Sequence, residues 1–394
     1  MFHWWRKKTG TLPFPEGPYV TGCVEIMNDY SKDSLFVRLL YPTDVHPTDL
    51  QKHSKRWVPW VIHEKYMEAF AALLTLWLFI LKLILFLVGK IYIPTLWEEP
   101  VTTEKKKLPV VVFSHGYGAT RFLCSTVCNE LASRGFLVAA LEHKDLSASI
   151  TYYYKSENDR DEDNKSYLMH IPFDIDVKEH YSTRNKQLKK RVDECKRLID
   201  FLDDINNGNG RNILKSNFDL DSLRGRLDLS EPIIMGHSFG GATAMYALAT
   251  EPRFKLGVIL DGWMFPLKQE QIEIHKPMLF VNTHTFHLEA NIKLMKNFTN
   301  LPQNELYTMR NTTHESSTDT PQVFGYWLNL FMKKLDSRIA LKIQNYLILQ
   351  FLQKHTGLEI EEDLVKNYLK LRENDLTNDY ILFAKKALRK FTLF

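Results

Sequence analysis

Residues 232–242 read PIIMGHSFGGA, and this stretch decides the fold. A short apolar run at 232–235 has the character of a buried strand. Residues 242–249 (ATAMYALA) are small and apolar, as a closely packed helix requires. Between them lies Gly-x-Ser-x-Gly, residues 236–240, in which a serine stands on a tight strand-to-helix turn and glycines allow close backbone approach. Such an elbow presents Ser238 as a nucleophile, with the first amides of the following helix beneath it as an anion site.

Around the elbow the chain alternates between apolar runs and amphipathic stretches, which indicates a mostly parallel sheet with helices on both faces, the α/β-hydrolase fold. Strands are expected at 109–114 (PVVVFS), 136–141, 256–260, 278–282 and 305–309, with helices at 121–133 and 184–205. In the latter helix Leu188, Val192, Cys195, Leu198, Ile199 and Leu202 recur at helical spacing. The acidic stretch 157–164 reads as a solvated loop. Upstream, 19–27 and 34–40 read as two strands joined by a turn.

A serine hydroxyl needs a base to remove its proton and an acid to orient the base, and in this fold acid and histidine follow the serine in that order. His314 occupies the loop after the last strand, where the base belongs. His284 and His287 follow the preceding strand and compete with it, while His275 stands before that strand. Two positions fit the acid, of which Asp261 is favoured as short and directly at a strand end. Asp261 closes the strand directly after the elbow helix, and Glu289 lies one strand later. The oxyanion hole is expected from the backbone amides of Phe239, next to the serine, and Tyr117, in the His115-Gly116-Tyr117 turn after an earlier strand. His115 and His237 read as structural neighbours.

Composition is that of a globular protein, with 44% hydrophobic and 25% charged residues and a net charge of +4, which gives no nucleic-acid surface. The four cysteines, Cys23, Cys124, Cys128 and Cys195, are too few for a disulfide framework and too scattered for zinc. No metal or cofactor is expected. One domain over 1–394 is expected, with an apolar helical segment at 66–93 and a helical extension at 336–394 that ends in basic residues. Residues 69–88 (AFAALLTLWLFILKLILFLV) have the length of a membrane span with a single charge, Lys82. Because strands flank this segment on both sides, a helix docked in one leaflet is preferred to a crossing, although a transmembrane anchor and a buried core hairpin stay open. The amino terminus has no apolar signal core, so a cytoplasmic, membrane-associated protein is expected.

The runs VVVFSHGYGATRFLCS, ASRGFLVAALEHKDLSASITYYY, GHSFGGATA, LDGWMFPL and FLQKHTGL resemble the platelet-activating-factor acetylhydrolase family, over roughly residues 18–358. The resemblance implies Ser238, Asp261 and His314 as catalytic residues, in favour of Asp261 over Glu289. It also implies calcium-independent hydrolysis of the sn-2 ester of phospholipids carrying acetyl or other short or oxidised acyl groups, and docking on lipid surfaces through apolar helices. Two alternatives stand beside it: a lipase or esterase of other lipid specificity, and an inactive membrane-bound hydrolase relative that only binds.

Overall fold

The computed structural model describes residues 10–73, 89–171, 177–326 and 334–378. The strands are β1 (Gly10–Thr11), β2 (Thr21–Met27), β3 (Phe36–Pro42), β4 (Trp57–Pro59), β5 (Ile91–Trp97), β6 (Leu108–Ser114), β7 (Leu137–Leu141), β8 (Ile150–Tyr153), β9 (Ser166–Met169), β10 (Leu227–His237), β11 (Leu256–Leu260), β12 (Met278–Thr283), β13 (Glu305–Met309) and β14 (Leu376–Thr377). The α-helices are α1 (Glu64–Leu73), α2 (Ser125–Ser133), α3 (Glu157–Asp161), α4 (Val177–Asn206), α5 (Phe239–Thr250), α6 (Glu289–Thr299), α7 (Thr320–Phe324), α8 (Ser337–Thr356) and α9 (Glu362–Leu371).

A 12-stranded sheet runs in the order β1-β5-β2-β3-β7-β6-β10-β11-β12-β13-β14, with β4 on β5. From β7 to β13 every pairing is parallel. Strand β6 shows why. Its LPVVVFS sequence buries both faces, as parallel strands covered by helices do. Successive side chains point to opposite faces. Val110 and Val112 therefore join Leu188, Val192 and Leu198 of α4 and Ala242 and Met245 of α5 in one core, whereas Val111 and Phe113 join α2 and α8 in the other. The fold is the mostly parallel, helix-covered sheet that the sequence indicates.

Several boundaries differ from the sequence expectation for reasons of tertiary contact. The helix expected from residue 121 starts at Ser125, where the buried Asp319 carboxylate accepts from the Ser125 and Thr126 amides at 2.8 and 3.0 Å. Residues 121–124 form turns. Such a cap, brought from 194 residues away, leaves no local signature. The stretch read as a loop at 157–164 begins with the short exposed helix α3, capped by Ser156. At the carboxy-terminal end α8 packs within the core, with Ile343, Leu349 and Phe351 fully buried, and β14 adds antiparallel to β13. The basic end at 385–390 lies outside the described residues.

Most of the apolar segment, residues 74–88, also lies outside the described residues. Its flanks are informative. β2 and β3 precede it and β5 and β7 follow it, yet β2 pairs with β5 and β3 with β7. Both flanks therefore lie on the same side of any bilayer, since a hydrogen-bonded sheet cannot be divided by one. Among the described residues no helix is long and apolar enough to cross a membrane.

Beneath α1 a buried ion cluster ties the two halves of the sheet together. Arg121 pairs with Glu142 at 2.6 Å and Glu25 at 2.8 Å, Arg38 pairs with Glu25 at 2.7 Å, and Tyr66 donates to Glu142. Burial alone would raise the Glu25 carboxyl, but Arg121 and Arg38 outweigh it and hold the group at about 2. Removing one member strands the rest without a counter-charge. Arg121→Met is therefore expected to lower stability by about 3–5 kcal/mol, read from the midpoint of urea unfolding; a loss below about 1 kcal/mol would contradict this role.

Candidate active site

Strand β10 lies between β6 and β11 and delivers the elbow to the carboxyl end of the sheet. Ser238 has φ 57° and ψ −116°, a left-handed conformation that a residue with a side chain adopts only when its surroundings impose it. Its amide donates to the Leu260 carbonyl at 2.9 Å, and its own carbonyl accepts from Gly241 and Trp263 at 2.9 Å each. The glycines are needed for contact. A Cβ on Gly236 would stand 2.0 Å from the Gly240 carbonyl oxygen, and one on Gly240 would stand 1.9 Å from that of Ser114.

The structure brings Ser238, His314 and Asp261 together from three separate loops. His314 Nε2 is 2.9 Å from Ser238 Oγ, and His314 Nδ1 is 2.6 Å from Asp261 Oδ2. A carboxylate only accepts, so Nδ1 carries the proton and Nε2 presents its lone pair to the serine hydroxyl. Asp261 is buried, and it is oriented by the Thr283 amide at 2.7 Å and the Thr283 hydroxyl at 2.5 Å. The His314 ring stacks on Phe286 at 3.9 Å between centroids.

The competing residues lie elsewhere. Glu289 is exposed in the first turn of α6. His284 Nδ1 accepts from the Asn311 amide at 3.1 Å, bracing the loop that carries His314. His287 is buried, and burial depresses its pKa against the raising effect of Asp261. His275 is paired with Glu273 at the surface.

Phe239 opens α5, and its amide sits at that helix's amino-terminal end. Tyr117 lies in the loop after β6. A Cβ on Gly116 would stand 3.2 Å from Ser238 Cβ, so this loop runs against the elbow. His115 is more than a packing residue. It is buried, its Nδ1 donates to the Gly116 carbonyl at 2.7 Å, and its Nε2 accepts from the His143 amide at 3.1 Å. Burial and the charge of Arg191 hold it neutral, well below the usual histidine range.

Behind the loop is a second chain of hydroxyl, imidazole and carboxylate that sequence reading missed. Ser114 Oγ is 2.7 Å from His143 Nε2, and His143 Nδ1 is 2.7 Å from Glu194 Oε2. All three are buried, and Ser114 lies within a strand, so this chain braces the loop and offers nothing to a substrate. The wall over the elbow was missed as well. Trp263 stacks on Phe265 at 5.6 Å and meets Phe239 edge-on at 5.5 Å. The Asp261-Gly262-Trp263 run carried that signal, since a residue two places after Asp261 must lie beside the site. Among the described residues no three His, Cys, Asp or Glu side chains are grouped so as to hold a metal ion.

This sheet, with a serine elbow and a histidine and a carboxylate arriving from later loops, is that of an α/β-hydrolase esterase. A solved ferulic acid esterase from Streptomyces cinnamoneus shares the fold, with a TM-score of 0.59 at 17% identity over 93% of this chain and 98% of its own. The chain belongs to the family described as platelet-activating factor acetylhydrolase, isoform II, whose model matches residues 6–376. Proteins named platelet-activating factor acetylhydrolase are 34% identical over 380 residues in Cavia porcellus (94% of this chain, 84% of the relative) and 36% identical over 363 residues in Bos taurus (89% and 79%). The one from Gallus gallus is 33% identical over 367 residues (89% and 85%).

His237 provides a test of the electrostatics. It is fully buried, its Nε2 donates to the His314 carbonyl at 3.3 Å, and burial followed by the proximity of His314 pushes its pKa down to about 3. A histidine with a depressed folded pKa takes its proton on unfolding, so its contribution is complete above the ordinary value of 6.5 and is lost as pH falls toward 3. His237→Gln is expected to reduce the slope of unfolding free energy between pH 6.5 and 3 by about one proton, ~1.4 kcal/mol per pH unit. Urea unfolding across that range measures it, and an unchanged slope contradicts it.

Proposed function

We propose that this protein hydrolyses the sn-2 acetyl ester of platelet-activating factor, and related phospholipids with short or oxidised acyl groups, without calcium, through a Ser238 acyl-enzyme. The observation that carries the mechanism is the unbroken chain from Ser238 Oγ through His314 to Asp261, at 2.9 and 2.6 Å. The substrate rests on the family and on the relatives' names. His314 Nε2 takes the Ser238 proton as Oγ attacks the sn-2 carbonyl, and the Tyr117 and Phe239 amides receive the charge that develops on the carbonyl oxygen. Collapse expels the glycerol oxygen, which takes the proton from His314 and leaves as lysophospholipid. Water, deprotonated by His314, then releases acetate and restores the serine. Asp261 holds the imidazole tautomer throughout and stabilises the imidazolium.

On this reading residues 1–394 work as one hydrolase domain, with 66–93 as a lipid-facing segment and 336–394 as a helical extension. Attachment to a membrane surface is supported by the apolar run at 69–88 and by exposed apolar residues just before α1 and at the end of β9. Ile62, Met169 and Ile171 are exposed, and Tyr167 lies near Lys65 and Glu68 of α1. A reducing, cytoplasmic location suits the four buried free thiols, Cys23, Cys124, Cys128 and Cys195.

Release of acetate from an sn-2 acetyl phosphocholine lipid in EDTA tests the proposal against the same lipid with palmitoyl. Acetyl turnover is expected in wild type, with a loss of about three orders of magnitude or more in Ser238→Ala and roughly four in Asp261→Asn. Turnover of palmitoyl alone would retain the esterase and discard the acetyl specificity. Turnover that survives Ser238→Ala would discard the mechanism. Flotation with phosphatidylcholine vesicles tests the surface, with Met169→Asp and Ile171→Asp together expected to weaken binding at least several-fold; equal flotation would remove this patch from the docking face.

A further inference from the structure

Backbone amides cannot be aimed by their own side chains, so whatever fixes the peptide planes of residues 115–117 fixes the oxyanion hole. Arg191, on α4, is fully buried and reaches both halves of it. Its Nη1 donates to the His115 carbonyl at 2.6 Å and its Nη2 to the Gly116 carbonyl at 3.4 Å. Its guanidinium carbon lies 4.3 Å from the centre of the Phe239 ring. The fork is itself held from behind. Nε meets Asp145 Oδ2 at 3.0 Å, Nη2 meets Ser147 Oγ at 2.6 Å, and Ser147 Oγ donates to Asp145 Oδ1 at 2.5 Å.

In a trans peptide the carbonyl and the next N–H point in opposite directions. Drawing the His115 carbonyl toward Arg191 therefore turns the Gly116 N–H the other way, and the Gly116 carbonyl, held by His115 Nδ1 at 2.7 Å with Arg191 Nη2 at 3.4 Å beside it, turns the Tyr117 N–H likewise. The approach of Gly116 to Ser238 Cβ shows that the loop is close enough for those donors to serve the elbow. A cation at the oxygen end of a peptide also polarises it, so its N–H becomes a stronger donor in a site that excludes water. From these contacts we infer that Arg191 is a positioning residue for the oxyanion hole, aiming and polarising the Tyr117 side of it while bracing Phe239. This rests on the esterase reading above. A buried Arg–Asp pair that only stabilised the fold would have no need to spend two of its donors on the carbonyls of this one loop.

The role predicts a particular division of effects, because an oxyanion donor acts on the transition state more than on bound substrate. Arg191→Lys keeps the charge and loses the fork. It is expected to lower kcat for the acetyl lipid about tenfold or more while KM stays within about threefold, short of the roughly hundredfold or greater cost of deleting a donor. A trifluoromethyl ketone, which forms an anionic tetrahedral adduct with the serine, should bind more weakly by the same factor as kcat/KM falls, while inhibition by lysophosphatidylcholine stays unchanged. Ser147→Ala loosens one anchor of the fork without removing charge, and should show the same pattern at smaller size. It decides the matter if Arg191→Lys does not fold. Variants with lower melting temperature but wild-type kcat and ketone affinity, or with kcat lost while ketone affinity is kept, overturn the assignment. Absence of turnover and of fluorophosphonate labelling in wild type would overturn the esterase reading instead, and is read without any Arg191 variant.

Discussion

The contact on which the site depends is that of the first turn of α5 with the ends of β6 and β10. Two glycines let backbone meet backbone there, and the resulting lack of space forces Ser238 into left-handed geometry. A strained residue of this kind is set against a stability of the order of 1–3 kcal/mol, which the surrounding hydrogen bonds and core must supply. The same contact brings β11 alongside, so that the Ser238 amide is tied to Leu260 and Asp261 follows one residue later. Ser238 and Asp261 are thus spaced by strand packing rather than by side-chain reach.

The electrostatic arrangement follows from burial. His115, His143 and His237 all lie within the protein and are all pushed toward the neutral form, chiefly by loss of solvent. His115 and His143 use both ring nitrogens on backbone or on a fixed partner, and His237 uses Nε2 on the His314 carbonyl, so each serves as a rigid hydrogen-bonding strut. His314 differs in place and partner. Its side chain is 29% exposed, one ring nitrogen faces a carboxylate, and the other faces the serine. The histidines at this end of the sheet therefore separate into buried struts and one partly exposed imidazole set between a serine and a carboxylate.

Much of this was legible in the sequence because it is local. A Gly-x-Ser-x-Gly between an apolar run and a small-residue helix is read without knowing the fold, and strands β11 and β13 fall at the residues the periodicity indicates. Position favoured Asp261 but kept Glu289 in competition, and strand pairing is what puts Asp261 next to the elbow. The cap of α2 by Asp319, the Ser114–His143–Glu194 chain and the Arg191 guanidinium behind residues 115–117 were not legible, because each joins groups far apart in the chain through side chains common on any surface. The lone β14 strand has two residues and no pattern of its own; only its pairing with β13 defines it.

The order of strands in the sheet also sets how much of the chain must be made before the sheet can close. β2 and β3 are synthesised early, but their partners β5 and β7 emerge only after the apolar run at 69–88 has left the ribosome. Until then the nascent chain exposes two unpaired strand edges and a long apolar stretch together, the combination most prone to aggregation and to capture by membrane-insertion machinery. Closure of the sheet waits on contacts of large sequence separation, which form slowly. Production of this protein is therefore expected to depend on a holdase chaperone, or on a lipid surface, during the interval between those two events.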